Sequence, residues 1–264
     1  MNYSYSDIEA MGTVFRFSFE QQEVSLAHQL LPRAKEILTE ADHRFSTYLP
    51  QSEVSRINRG ELKLADASWE LRLVAEEADL WRKKTSGAFN AQSPDGSWDP
   101  SGIVKAWATQ SVASLFEANG LCGFTINAGG DILLGSGLTY PQLERVGIAN
   151  AVSIAEASSD AMATLDLAGS GFRAVATSGT AERGDHIWGA ELKQVTVVAQ
   201  DLITADVWAT ALMTNKSSAL ELAEREPAVE FMTLTVSGEK GYSAGFQKLI
   251  DVRQEVGGRN VRAN

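Results

Sequence analysis

Val195-Thr196-Val197-Val198-Ala199 runs uncharged into Gln200-Asp201, and Ile203-Thr204-Ala205-Asp206-Val207-Trp208-Ala209-Thr210-Ala211-Leu212-Met213 follows at once. The first run is short and β-branched, as a strand requires, and the second carries its apolar residues at helical spacing. Thr204 is a good N-cap, which predicts Asp206 in the first turn of the helix. Asp206 and Thr210 are four apart and project from one helical face. A carboxylate and a hydroxyl stacked in this way form half of a hard-cation site, suited to Mg²⁺ and a phosphate. Read alone, the segment is more simply an N-capped amphipathic helix with one buried hydroxyl.

Outward from this stretch, helices dominate the first half of the chain and short strands the second. Residues 12–20 alternate apolar and polar and predict a first strand, and residues 24–42 carry helical spacing. Asp66 is expected to cap a helix over 67–84, with Gly87 as its stop signal. Pro94, Gly96 and Pro100 make 88–100 a loop, and a third helix runs from Gly102 to Glu117. Short strands with glycine turns follow at 124–127, 131–134, 144–149, 162–168, 172–177 and 194–199. Helices over 204–213 and 217–225 precede a hairpin of Glu230–Val236 with Lys240–Tyr242. Without strict strand–helix alternation, this order predicts an α+β fold rather than a doubly wound parallel sheet. No internal repeat or linker divides residues 1–264, so a single domain is expected.

The chain of 264 residues has a formal net charge of -11, which argues against nucleic-acid binding and attraction to anionic lipid. An anionic ligand therefore needs local help from a metal, a cation or backbone amides. Cys122 is the single cysteine, which excludes an internal disulfide and a thiolate zinc site, and it reads as a small core residue. No secretory h-region and no membrane-length apolar run is seen, so the expectation is a soluble, cytoplasmic protein without membrane insertion.

Four further segments carry candidate chemistry. Asp99-Pro100-Ser101-Gly102-Ile103-Val104-Lys105 brackets a helix start, where free amides favour an anion and Lys105 can add charge. The alternative there is a simple cap followed by a surface lysine. In Ile126-Asn127-Ala128-Gly129-Gly130-Asp131 the glycine pair makes a tight turn, or else admits a ligand close to the backbone. Ala176-Thr177-Ser178-Gly179, followed by Arg183 and His186, offers hydroxyls, a cation and a group that titrates near neutral pH. His28 and His43 fall in the first helical segment and read as structural. In the fourth segment Ser52 caps a short helix, and Tyr48 can stack on a planar ring. No phosphate loop, dinucleotide fingerprint, nucleophile elbow or His-Glu-x-x-His pair is present.

Taken in order, these segments resemble the FAD:protein FMN transferases, the ApbE family. The similarity extends from Met11-Gly12-Thr13 through Ser46–Asn58, Ser86-Gly87-Ala88-Phe89-Asn90, Asp99–Lys105 and Asn127–Asp131. It continues through Ala176–Gly179, His186-Ile187 and Val195–Thr210. The resemblance implies one α+β domain of mixed or antiparallel sheet with packed helices, T-fold-like in architecture. It implies an enzyme that uses FAD as substrate and Mg²⁺ as cofactor, moving FMN to a Thr or Ser hydroxyl of an acceptor protein and releasing AMP. The metal is expected at Gly102, Asp206 and Thr210. Flavin contacts are expected at Met11, Tyr48, Ala88, Phe89, Asn90, Asp99, Lys105 and Ile187. His186 is a candidate base or phosphate ligand beside Asp206.

Three departures accompany the resemblance. The family pattern has Lys-Gly and a following Asp where this chain has Lys105-Ala106, and Phe-Asp where it has Phe89-Asn90. After His-Ile the family continues with an Asp-Pro-x-Thr-Gly turn, whereas this chain reads Trp188-Gly189-Ala190-Glu191. An FAD-binding protein or an FAD diphosphatase, giving FMN and AMP with weak or lost transfer, is therefore the alternative.

Overall fold

The computed structural model describes residues 3–149, 161–179 and 191–251. The chain opens with a hairpin, β1 (Tyr3–Ala10) and β2 (Thr13–Glu20). Its two-residue turn, Met11-Gly12, has both residues at positive φ, +53° and +68°. That is the geometry whose twist matches paired antiparallel strands. The polar start of the sequence hid β1, whose Ile8 is buried while Tyr5, Asp7 and Glu9 face out.

Next come α1 (Val24–Phe45), the short α2 (Glu53–Asn58), α3 (Trp69–Lys84) and α4 (Ser101–Ala118). Ser52 caps α2 as expected, accepting a bond from Ser55 N at 2.9 Å. Ser68, not Asp66, caps α3, because Asp66 lies in a separate 3₁₀ turn over Leu64–Asp66. Two bonds at the far end of α3, Gly87 N to Arg82 O and Ser86 N to Lys83 O, close it with Gly87 at φ +78°. His28 and His43 lie on the exposed side of α1.

The second half supplies β3 (Phe124–Ala128), β4 (Asp131–Leu134), β5 (Arg145–Ala149), β6 (Ala161–Asp166), β7 (Ala174–Gly179) and β8 (Gln194–Ala199). Then follow α5 (Leu202–Leu212), α6 (Ser217–Arg225), β9 (Val229–Leu234) and β10 (Lys240–Tyr242). Among the described residues one sheet has the order β1-β2-β3-β4-β7-β8-β9-β10, every pairing antiparallel, and β5 and β6 form a separate ribbon.

One face of the large sheet is covered by helices, and the other is covered over β4, β7, β8 and β9. Helices α1, α4 and α5 pack on one face, where Phe15, Phe17, Phe116, Phe124, Val197 and Trp208 are buried together. On the other, Val175, Val198 and Met232 meet Val146 and Leu165 of the ribbon and Phe246. Every residue of β8 is buried, which explains why Val195–Ala199 reads as a continuous apolar run instead of an alternation. Cys122 is half-buried rather than a core residue; it lies in the short connection between α4 and β3, with Gly135 and Gly137 packed against it.

Glu20, at the end of β2, ties this sheet to the segment before the ribbon. Its carboxylate accepts bonds from Thr139 N and Tyr140 N, each at 2.6 Å, and from Thr139 Oγ1. Burial disfavours the charge, but these donors outweigh it and hold the carboxyl below its ordinary range. Glu144 moves the opposite way, raised first by burial and then by the charges of Asp166 and Glu20.

Candidate functional site

A cavity of about 800 Å³ opens at the end of the sheet where both hairpin tips, the N-terminus of α4 and one face of α5 converge. This volume is in the range of sites that enclose small organic ligands. The β1–β2 tip contributes Met11 and Gly12, and the β3–β4 tip contributes Gly129. Gly129 and Gly130 have φ of +61° and +100°, so the pair forms the tight turn expected of it. A Cβ on Gly129 would overlap Thr13 Oγ1, so the close backbone approach that demands glycine is made by the neighbouring hairpin.

The loop from Ala88 to Asp99 forms another wall. It is pinned as an extra strand pair would be: Asp99 N bonds Ala91 O at 2.7 Å, and Ser93 N bonds Ser97 O at 2.9 Å. Asn58 reaches across from α2, donating to Trp98 O at 2.9 Å and accepting from Trp98 N at 2.8 Å. At the loop tip Asp95 accepts from Ser93 and from the backbone and hydroxyl of Ser97, which lowers its pKa to about 2. Asp99 Oδ1 accepts from Ser101 N at 2.9 Å and so stands at the start of α4.

Helix α5 supplies the carboxylate and hydroxyl. Asp201, not Thr204, is its N-cap: Asp201 Oδ1 accepts from Thr204 N at 2.8 Å and Oδ2 from Thr204 Oγ1 at 2.7 Å. Thr204 serves as a donor to that better acceptor, the helix starts at Leu202, and Asp206 falls beyond the first turn. Asp206 is 7% exposed, and Asp206 and Thr210 both face the cavity. Ser178, at the end of β7, lies with its Oγ 3.5 Å from Thr210 Oγ1. Gly102 is packed close by, for a Cβ there would meet the Phe89 ring at 3.2 Å and Thr210 Cγ2 at 4.0 Å.

All ten sequence-predicted site residues within the described segments line this one cavity. Met11, Tyr48, Ala88, Phe89 and Asn90 do so from the first hairpin and the loops around α2 and α3. Asp99, Gly102 and Lys105 do so from α4 and its approach, and Asp206 and Thr210 from α5. Tyr48 is 82% exposed, so its ring is free to meet a ligand. His186, Ile187 and Arg183 lie outside the described residues.

Lys105 is not the surface lysine of the simpler alternative. It is buried in the wall and ion-paired with Asp131, which was expected only to flank a turn. Sequence reasoning missed this pair because its members lie on separate elements. It also missed Thr214 and Lys216, which line the cavity just after α5. The signal was the Thr214-Asn215-Lys216 stretch, since Asn215 at φ +49° turns the chain there and asparagine tolerates that conformation.

A metal at Gly102, Asp206 and Thr210 would have only oxygen donors. Among the described residues no group of three or more His, Cys, Asp or Glu side chains is placed to hold a metal. A buried carboxylate, two neighbouring hydroxyls and the tight seat of Gly102 fit a hard cation that retains some water.

Fold and cavity together define an α+β protein with one antiparallel sheet, packed helices and a cavity at the sheet's end. The chain belongs to the ApbE family, whose model matches residues 11–95 and 91–233. Comparison with curated protein sequences returns no match. Among solved structures, the chain is similar to the flavin transferase ApbE of Vibrio cholerae, with 19% identity and a TM-score of 0.73, covering 94% of this chain and 99% of that one. It is similar to the ApbE protein of Thermotoga maritima at 18% identity and a TM-score of 0.77, with the same coverage. The apo flavinyl transferase ApbE of Pseudomonas stutzeri matches at 17% identity and a TM-score of 0.68, over 94% and 98% of the two chains.

Proposed function

We propose that this chain is a Mg²⁺-dependent FAD:protein FMN transferase, which moves FMN from FAD to a Thr or Ser hydroxyl of an acceptor protein and releases AMP. Membership in the ApbE family makes it a flavin-transferring enzyme; the donor, metal and acceptor are the finer part of the reading. The observation that carries it is the convergence of ten residues, chosen from separate segments of sequence, on one cavity.

In this reading the exposed Tyr48 offers aromatic surface to a planar ring, and the positive end of α4 at the cavity favours the pyrophosphate. Mg²⁺ held there would supply charge withdrawal at the phosphates. Asp206 and Thr210 would hold that ion from one helix face, with the Gly102 carbonyl available from α4. Asp99 holds the helix start in place through Ser101 N. His186 is the candidate to take the acceptor's proton.

The test is incubation with FAD, Mg²⁺ and a candidate acceptor, followed by mass spectrometry for an added FMN and by assay of AMP. Label and AMP together support transfer. AMP without label supports the FAD diphosphatase reading. Flavin binding without AMP at any Mg²⁺ concentration supports a carrier.

A further inference from the structure

Asp131 touches two parts of the cavity wall at once. It stands at the first position of β4, directly after the Gly129-Gly130 turn, and is 1% exposed. One carboxylate oxygen accepts from Thr177 N at 3.0 Å, and the other meets the ammonium of Lys105. Thr177 lies on β7 beside Ser178, which in turn lies against Thr210. Lys105 lies one turn along α4 from Gly102. A single buried carboxylate therefore joins the helix that carries Gly102 to the strand end that carries Ser178.

We propose that Asp131 is a positioning residue for the flavin-donor site, acting through Lys105. An unpaired ammonium in a wall this buried is unfavourable and drives the side chain toward water, here the cavity. The carboxylate behind it fixes the Lys105 head group in the wall and cancels its charge. The cavity is thereby kept clear of a mobile cation competing with a metal at Asp206 and Thr210. This inference rests on the reading of the cavity as the FAD site.

Asp131→Asn separates the two contacts, since the amide oxygen still accepts from Thr177 N while the counter-charge of Lys105 is lost. The experiment is a double-mutant cycle read as FAD affinity by flavin fluorescence in the presence of Mg²⁺, on the full chain, alongside thermal midpoints. Asp131→Asn is expected to weaken FAD binding about tenfold in the wild-type background and to have no further effect in Lys105→Met. A purely structural role would shift the thermal midpoint alike in both backgrounds and leave affinity unchanged, and that result overturns the proposal. Equal affinity losses in both backgrounds also overturn it. Wild-type chain that binds no FAD overturns the flavin reading itself, and the proposal with it.

Discussion

At the residue scale, chemistry concentrates on side chains held by neighbours from distant elements. Asp206 is a cavity-facing carboxylate on a well-packed helix, and the side-chain bonds of the α5 cap go to Asp201 and Thr204. Asp206→Ala is therefore expected to reduce FMN transfer at least about 100-fold, with a folded chain by circular dichroism. Retained transfer at matched Mg²⁺ would remove Asp206 from the metal set. Gly129 is constrained twice, by φ and by Thr13. Gly129→Ala is expected to cost about 1–2 kcal/mol from the left-handed backbone alone, and more from the overlap. Denaturant titration measures this, and recovery in a Thr13→Ala background isolates the steric part. The composition of these positions was legible: Asp206, Thr210 and the glycine pair were each visible as unusual. Their partners were not, because Asp131–Lys105 and Ser178–Thr210 are contacts that only folding creates.

At the element scale, the sequence placed most helices and strands to within a few residues, yet erred at caps. Thr204 and Asp66 each looked like an N-cap, and each lost that role to a nearby residue, Asp201 or Ser68. A cap is decided by which side chain meets a free amide, and several polar residues in a row offer the same chemistry. Asp201→Ala is expected to destabilise the protein by about 0.5–2 kcal/mol, read as a lower thermal midpoint. Thr204→Val loses the hydroxyl donor but keeps the amide bond, and should cost less. The loop over residues 88–99 depends on Asn58, whose side chain satisfies both backbone groups of Trp98. Asn58→Ala is expected to raise the FAD dissociation constant several-fold, with the loss of two bonds worth about 1 kcal/mol each. Unchanged affinity would mean that the loop is held by its own internal bonds.

At the scale of the whole molecule, stability has a pH dependence with two opposing parts. The folded pKa of Glu20 lies below its ordinary value of 4.5. Its contribution is present above that value and is lost as pH falls through the depressed folded pKa. Glu144 is raised instead, so its contribution is present at low pH and is withdrawn as pH rises through the raised folded value. Denaturant titrations across pH are expected to show Glu20→Gln flattening the acid limb and Glu144→Gln removing the loss of stability that sets in as pH rises above 4.5. Identical pH profiles for wild type and variants would contradict these assignments. Among the described residues no helix is long and apolar enough to cross a membrane.

The sequence by itself determined the α+β order, the strand-to-helix passage at Val195–Met213 and the residue types that suit a hard cation and an anionic ligand. Those are local properties, fixed by periodicity, turn chemistry and side-chain inventory within a few residues. Only the tertiary structure decided that Met11, Phe89, Gly102 and Thr210 face one cavity, that β8 is covered on both faces, and that Lys105 is neutralised from behind. Each of these depends on which strands pair and which helix covers them. That choice is made by burial of apolar surface over the whole chain, and no short segment carries it.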